Sequence, residues 1–133
     1  MDDIVSNLIE AAESVCGELQ LADDFSAGSV GAAIRTADGN IYTGICVDLA
    51  CGLGFCAEVS AIAEMLKNGE TQITDVVAVS CNGILPPCGR CRETIAQIDR
   101  RNLDCRVILG KDRTTTLRQL LPDHWLYTVE ETG

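Results

Sequence analysis

Between residues 3 and 19, apolar side chains recur at Ile4, Leu8, Ile9, Ala12, Val15 and Leu19, a near-helical spacing that lays one apolar face along an opening helix. The pattern then changes period. Val30–Arg35 and Ile41–Val47 read as strands, and Asp38-Gly39 between them suits the tight turn of an antiparallel hairpin. A second helix opens near Cys56, carries Val59, Ile62, Ala63 and Leu66 on one face, and stops at Asn68-Gly69. Asp75–Ser80 is the next strand. Beyond Asn82-Gly83 and Pro86-Pro87, Cys91, Ile95 and Ile98 mark the face of a third helix, and Cys105–Leu109 a short strand. Thr116–Leu121 reads as a short helix stopped by Pro122, and Trp125 and Tyr127 after it suit core closure or pocket lining. The order α-β-β-α-β-α-β predicts an α/β fold, one mixed sheet layered with helices.

Composition narrows the class. With 133 residues and 47% hydrophobic content, the chain suffices for one domain, 1–133, with a sizeable core. No apolar run approaches the roughly 20 residues that span a bilayer, and the start, Met1-Asp2-Asp3, is acidic, so no membrane partner and a cytoplasmic location are expected. Eight cysteines without a secretory signal read as reduced thiols. A net charge of −10, with one Trp, two Tyr and two Phe, argues against a nucleic-acid partner, which needs a basic track and stacking aromatics. A small-molecule substrate fits better.

The chemistry concentrates in two segments, Cys56-Ala57-Glu58 and Pro86-Pro87-Cys88-Gly89-Arg90-Cys91-Arg92. They offer three thiolate ligands beside one carboxylate ill suited to be a fourth. Zinc held by three protein ligands keeps an open position for water, which separates a catalytic site from a closed structural one. Glu58 is placed to move that water's protons. On the predicted helices, Cys56 opens one and Cys88 and Cys91 share the first turn of another, so two positive helix ends favour the thiolates. Three thiolates and Zn²⁺ still sum to −1, so Arg90 or Arg92 is expected to donate to a ligand sulfur.

Other readings use the same residues. Cys88 and Cys91 alone would serve as a redox pair, and a fourth thiolate from Cys51 or Cys81 would close the site as a structural scaffold. Cys16, Cys46, Cys51, Cys81 and Cys105 otherwise read as small buried hydrophobes, and His124 as a surface or packing residue.

The two segments carry the ligand-x-Glu and Pro-Cys-x-x-Cys signature of zinc deaminases. With Val30–Ile34, Asp38-Gly39, Tyr42-Thr43-Gly44 and Leu120-Leu121-Pro122 in the same order, the whole chain resembles the small cytidine deaminase family. That resemblance implies a three-layer α-β-α sandwich on a mixed five-stranded sheet, a homotetramer with one Zn²⁺ per subunit, and hydrolytic deamination of an aminopyrimidine nucleoside. It also implies Cys56, Cys88 and Cys91 as zinc ligands, Glu58 as proton shuttle, and substrate contacts from the region of Cys46, Asp48, Ala57 and Trp125. The chain departs from the family where the sugar is gripped. Gly28 stands for Phe, Cys46-Val47-Asp48 for Asn-x-Glu, and Val59 for the Arg that follows the catalytic Glu. Cys-Gly-Arg-Cys-Arg and an aromatic tail resemble the blasticidin-S deaminase branch, so the expected substrate is a cytosine-bearing nucleoside or a modified analogue.

Overall fold

The computed structural model describes residues 2–126. In chain order the elements are α1 (Asp3–Val15), β1 (Leu19–Ala22), β2 (Phe25–Thr36), β3 (Ile41–Asp48), α2 (Ala57–Lys67), β4 (Ile73–Ser80), β5 (Gly83–Leu85), α3 (Gly89–Ile98), a 3-10 helix (Arg100–Asp104), β6 (Arg106–Gly110), β7 (Arg113–Thr116) and α4 (Leu117–Leu120).

Asp2 starts α1 by accepting the Val5 N–H at 2.8 Å, an N-cap bond that satisfies one orphan donor of the first turn. The helix ends earlier than its apolar spacing predicts. Cys16 is extended, and the Gly17 N–H turns to the Gly28 carbonyl at 2.7 Å, so Leu19 begins a strand instead of closing the helix face.

The hairpin at Asp38-Gly39 forms as expected, with β2 and β3 antiparallel and Gly39 at φ +87°, where a side chain would be strained. On its other edge β2 pairs antiparallel with β4, which pairs parallel with β6, and β6 antiparallel with β7. That is a mixed path of five strands, β3-β2-β4-β6-β7. Two short strands raise the sheet to seven: β1 against the first residues of β2, and β5 against the last of β4. The expected five-strand sheet is thus corrected. β1 has four residues, all exposed, and β5 has three, too few to show an alternating pattern.

Successive strand residues point to opposite faces, which produces the three layers. Ala33, Val77, Val79 and Ile108 pack against Val5, Leu8, Ile9 and Ala12 of α1. Their neighbours Ile34, Val76 and Val107 pack against Ala61, Ile62 and Met65 of α2 and Ile95 and Ala96 of α3. Each of the larger side chains contributes about 1.5–3 kcal/mol by leaving water.

Two glycines set how closely the helices lie. A Cβ on Gly31 would stand 2.5 Å from the Ala12 carbonyl oxygen of α1, and one on Gly44 would stand 2.4 Å from the Ala61 nitrogen and 2.6 Å from the Ala57 oxygen of α2. Only a bare backbone lets α2 sit this low over β3, and α2 carries Glu58 in its first turn. On the far side, fully buried Asn102 accepts from the Ile73 N–H at 2.7 Å and donates to the Thr71 and Ile95 carbonyls, each at 3.0 Å, tying the C-terminal half of α3 to the start of β4.

Candidate active site

Both site helices begin on a cysteine. Cys56 is the N-cap of α2 and Cys88 that of α3, each extended, and neither makes a side-chain cap hydrogen bond. Their sulfurs are 3.3 Å apart, and Cys91, one turn into α3, lies 3.6 Å from Cys88. The ligand atoms of all three lie within 4.8 Å of one another.

The electrostatics differ from sulfur to sulfur. Burial pushes the Cys88 thiol up, but the backbone N–H groups of Cys91 and Arg90 at the positive start of α3 and the neighbouring thiols favour the thiolate and outweigh it, leaving the group below its ordinary value. Burial raises Cys56, helped by its bond to Cys88. Burial raises Cys91 strongly, with the Glu58 charge adding to it. Glu58 is only 4% exposed, and that burial lifts its carboxyl above the usual range, against bonds from its own backbone N–H and the Cys91 thiol. A buried carboxyl that favours its proton suits a group that must take one up and hold it between steps.

These residues fit zinc. Three convergent soft sulfurs make a tetrahedral donor set lacking one member. Among the described residues no fourth Cys, His, Asp or Glu joins the group, so the closed structural reading loses its ligand. Cys51 and Cys81 are exposed, correcting the expectation that they are buried, and His124 is half-buried outside the cluster.

Cys56, Cys88 and Glu58 line a cavity of about 420 Å³, while Cys91 is buried outside its wall. Ala57 lies fully buried in its wall between Cys56 and Glu58. Cys46 and Asp48 line it too, together with Ser29, Phe55 and Leu85, which the sequence reading did not single out. Ser29 was legible as the residue before the Val30 strand, but nothing in the pattern marked its hydroxyl. Here it lies 3.3 Å from the Cys46 sulfur, which also accepts the Val30 N–H at 3.4 Å and faces Asp48 at 3.9 Å.

Two expectations change. Arg90 donates to the Gly54 carbonyl at 3.2 Å, and Arg92 donates to the Pro87 and Leu120 carbonyls at 2.8 and 3.0 Å, so neither guanidinium bonds a ligand sulfur. Carbonyl oxygens in turns and at a helix end are the stronger acceptors, and the positive end of α3, rather than arginine, favours the Cys88 thiolate. Trp125, expected among the substrate contacts, is 65% exposed and outside the cavity wall. The chain turns after Pro122, and the Glu93 carboxylate accepts the Trp125 N–H at 3.0 Å, tying it to α3. Tyr127 lies outside the described residues.

Comparison with known proteins agrees with this geometry. The family described as cytidine and deoxycytidylate deaminase zinc-binding region matches residues 5–106. Blasticidin-S deaminase of Bacillus cereus is 30% identical over 127 residues, covering 86% of this chain and 89% of that protein. Cytidine deaminase of Mycobacterium tuberculosis is 33% identical over 101 residues, 74% of each chain. Among solved structures, cytidine deaminase from Burkholderia pseudomallei superposes with a TM-score of 0.72 at 28% identity, over 94% of this chain and all of that one.

Proposed function

The chain belongs to the cytidine and deoxycytidylate deaminase family, and from that membership we propose how its residues divide the reaction. It is a zinc-dependent hydrolase that deaminates a cytidine-type aminopyrimidine, releasing ammonia and leaving the uracil-type product. Cys56, Cys88 and Cys91 hold one zinc per subunit, and the bound metal supplies the Lewis acidity that lets water ionise near neutral pH. Glu58 takes a proton from the attacking water, passes it to the ring nitrogen, and relays a second to the departing amine. Arg90, lining the same cavity, adds positive charge against the three thiolates. Ala57, Cys46 and Asp48, which line the same cavity, contact the bound substrate.

The observation that carries this reading is three sulfurs within 4.8 Å of one another, with a buried carboxyl two residues from one of them on a cavity wall. The test is ammonia release by zinc-loaded protein on cytidine, deoxycytidine, cytosine and blasticidin S. Glu58→Gln should lower kcat by about 10²–10⁴-fold with zinc content unchanged. Turnover at the wild-type rate in that variant would remove Glu58 from the mechanism.

The domain over 1–133 acts in the cytoplasm, without nucleic-acid or membrane partners, as a homotetramer. In support, Leu49, Leu53 and Phe55 leave apolar surface exposed beside the cavity, at 39%, 78% and 39%. No helix among the described residues is long and apolar enough to cross a membrane. A clean monomer on sizing chromatography would count against the tetramer.

A further inference from the structure

We propose that Arg92 is a positioning residue for the metal site, holding the Pro87-Cys88 segment to the end of α4 and so fixing where the Cys88 sulfur points. The inference rests on the reading that Cys56, Cys88 and Cys91 hold zinc.

Of the three ligands Cys91 is buried, Cys56 half-buried and Cys88 exposed. Packing therefore orients Cys91 and does little for Cys88. The chain before Cys88 cannot anchor itself either, because Pro86 and Pro87 have no backbone N–H to donate. A hydrogen bond to that segment has to arrive at a carbonyl from a donor elsewhere. Arg92 provides it: its Nε donates to the Pro87 oxygen at 2.8 Å, which belongs to the peptide unit joining Pro87 to Cys88.

The other arm of the same guanidinium sets what the segment is held against. Nη1 donates at 3.0 Å to the carbonyl of Leu120, the last residue of α4, where a helix leaves its carbonyls without partners. α4 is itself anchored, because Leu117 is fully buried in the main core and the Thr116 side chain caps its start. A continuous line of contacts thus runs from the core through Leu117, Leu120 and Arg92 to the peptide next to Cys88. The planar guanidinium serves two acceptors at fixed angles, which the single ammonium of lysine cannot do in the same way.

The experiment compares wild type, Arg92→Gln, Arg92→Lys and Arg118→Gln. Arg118 is the control: it ties α4 to Asp104 at 3.2 Å and contacts nothing in the metal loop. Two readouts are independent of turnover, the rate of zinc transfer to a chromophoric chelator and the thiolate-to-cobalt absorption of the Co²⁺-substituted protein. Thermal melts run alongside. Arg92→Gln should release zinc roughly 10–100-fold faster, the range for losing a group that orients a metal ligand. Its cobalt band should shift, Arg92→Lys should fall between, and Arg118→Gln should match wild type. If Arg92→Gln does not fold, Arg92→Lys decides by the same criteria. Wild-type release and spectrum in the Arg92 variants, or equal losses in Arg118→Gln, would overturn the positioning role and leave the zinc assignment standing. Wild-type protein that binds neither metal would overturn both.

Discussion

Two parts of the cavity wall are built by different means. At the metal site, three sulfurs come from the N-terminal turns of two helices, whose positive ends favour thiolate. In the strand part of the wall, Ser29, Cys46 and Asp48 come from neighbouring strands and meet through contacts of 3.3–3.9 Å to the Cys46 thiol, a weak donor and acceptor. Backbone geometry sets the first, so it follows from the fold. The second depends on three side chains on a strand pair, which can be exchanged without moving a helix. On the proposed reading, reaction type belongs to the metal part and substrate choice to the strand part.

Removing the metal should break the comparison most completely. Dialysis against a chelator should abolish turnover and lower the melting temperature, with both restored by zinc. Recovery of activity without metal would contradict the reading of the sulfur site. Gly44→Ala comes next, because its new Cβ would press on the backbone of α2 at Ala57 and Ala61. A destabilisation of about 1–3 kcal/mol is expected for such overpacking, read from the urea midpoint, together with a fall in kcat as Cys56 and Glu58 shift.

Cys46→Ala tests the strand part. Its effect should fall on KM, by about tenfold, with kcat within about twofold, as expected where a contact selects substrate without joining the chemistry. An equal loss in kcat would erase the division between the two parts. The smallest effect is expected at a site remote from both. Asp99 accepts from Arg101 and Thr71, and its hydrogen bonds to Arg101 hold its carboxyl down at about 2 against an ordinary 3.8. Because this pKa is lowered on folding, its stabilisation is fully present above 3.8 and is lost as pH falls toward 2. Asp99→Asn keeps a capping oxygen but loses the charge that Arg101 pairs with, so it should cost about 0.5–1 kcal/mol at neutral pH, the upper scale of a single ion pair near the surface. The difference should close in acid, with KM and kcat unchanged throughout.

The legibility of the sequence follows the same division. The metal site was readable because its requirements are local: Cys56, Ala57 and Glu58 are consecutive, and Cys88 and Cys91 are one helical turn apart. The hairpin at Asp38-Gly39 and the α1 face, read from Ile4 to Val15, were likewise set by short-range pattern. What escaped depends on contacts between distant segments. Leu19 continues the helical spacing, and only the Gly17-to-Gly28 hydrogen bond makes it a strand residue. The charge argument pointed to arginine at a ligand sulfur, but sequence could not show that the fold brings the Gly54, Pro87 and Leu120 carbonyls to Arg90 and Arg92 instead. Ser29 and Cys46 are seventeen residues apart, and neither marks the other.

Both metal helices start on a residue whose side chain makes no capping hydrogen bond. Most helices place Ser, Thr, Asp or Asn there for about 1 kcal/mol of stability apiece. This chain forgoes that twice in adjacent helices and leaves the positions to an ion that binds only when Cys56, Cys88 and Cys91 are together. Folded lifetime and metal supply are thereby linked by mass action. When zinc is scarce, the cofactor and the resistance to unfolding should be lost together, so a metal-free sample should be cut by protease faster than a zinc-loaded one.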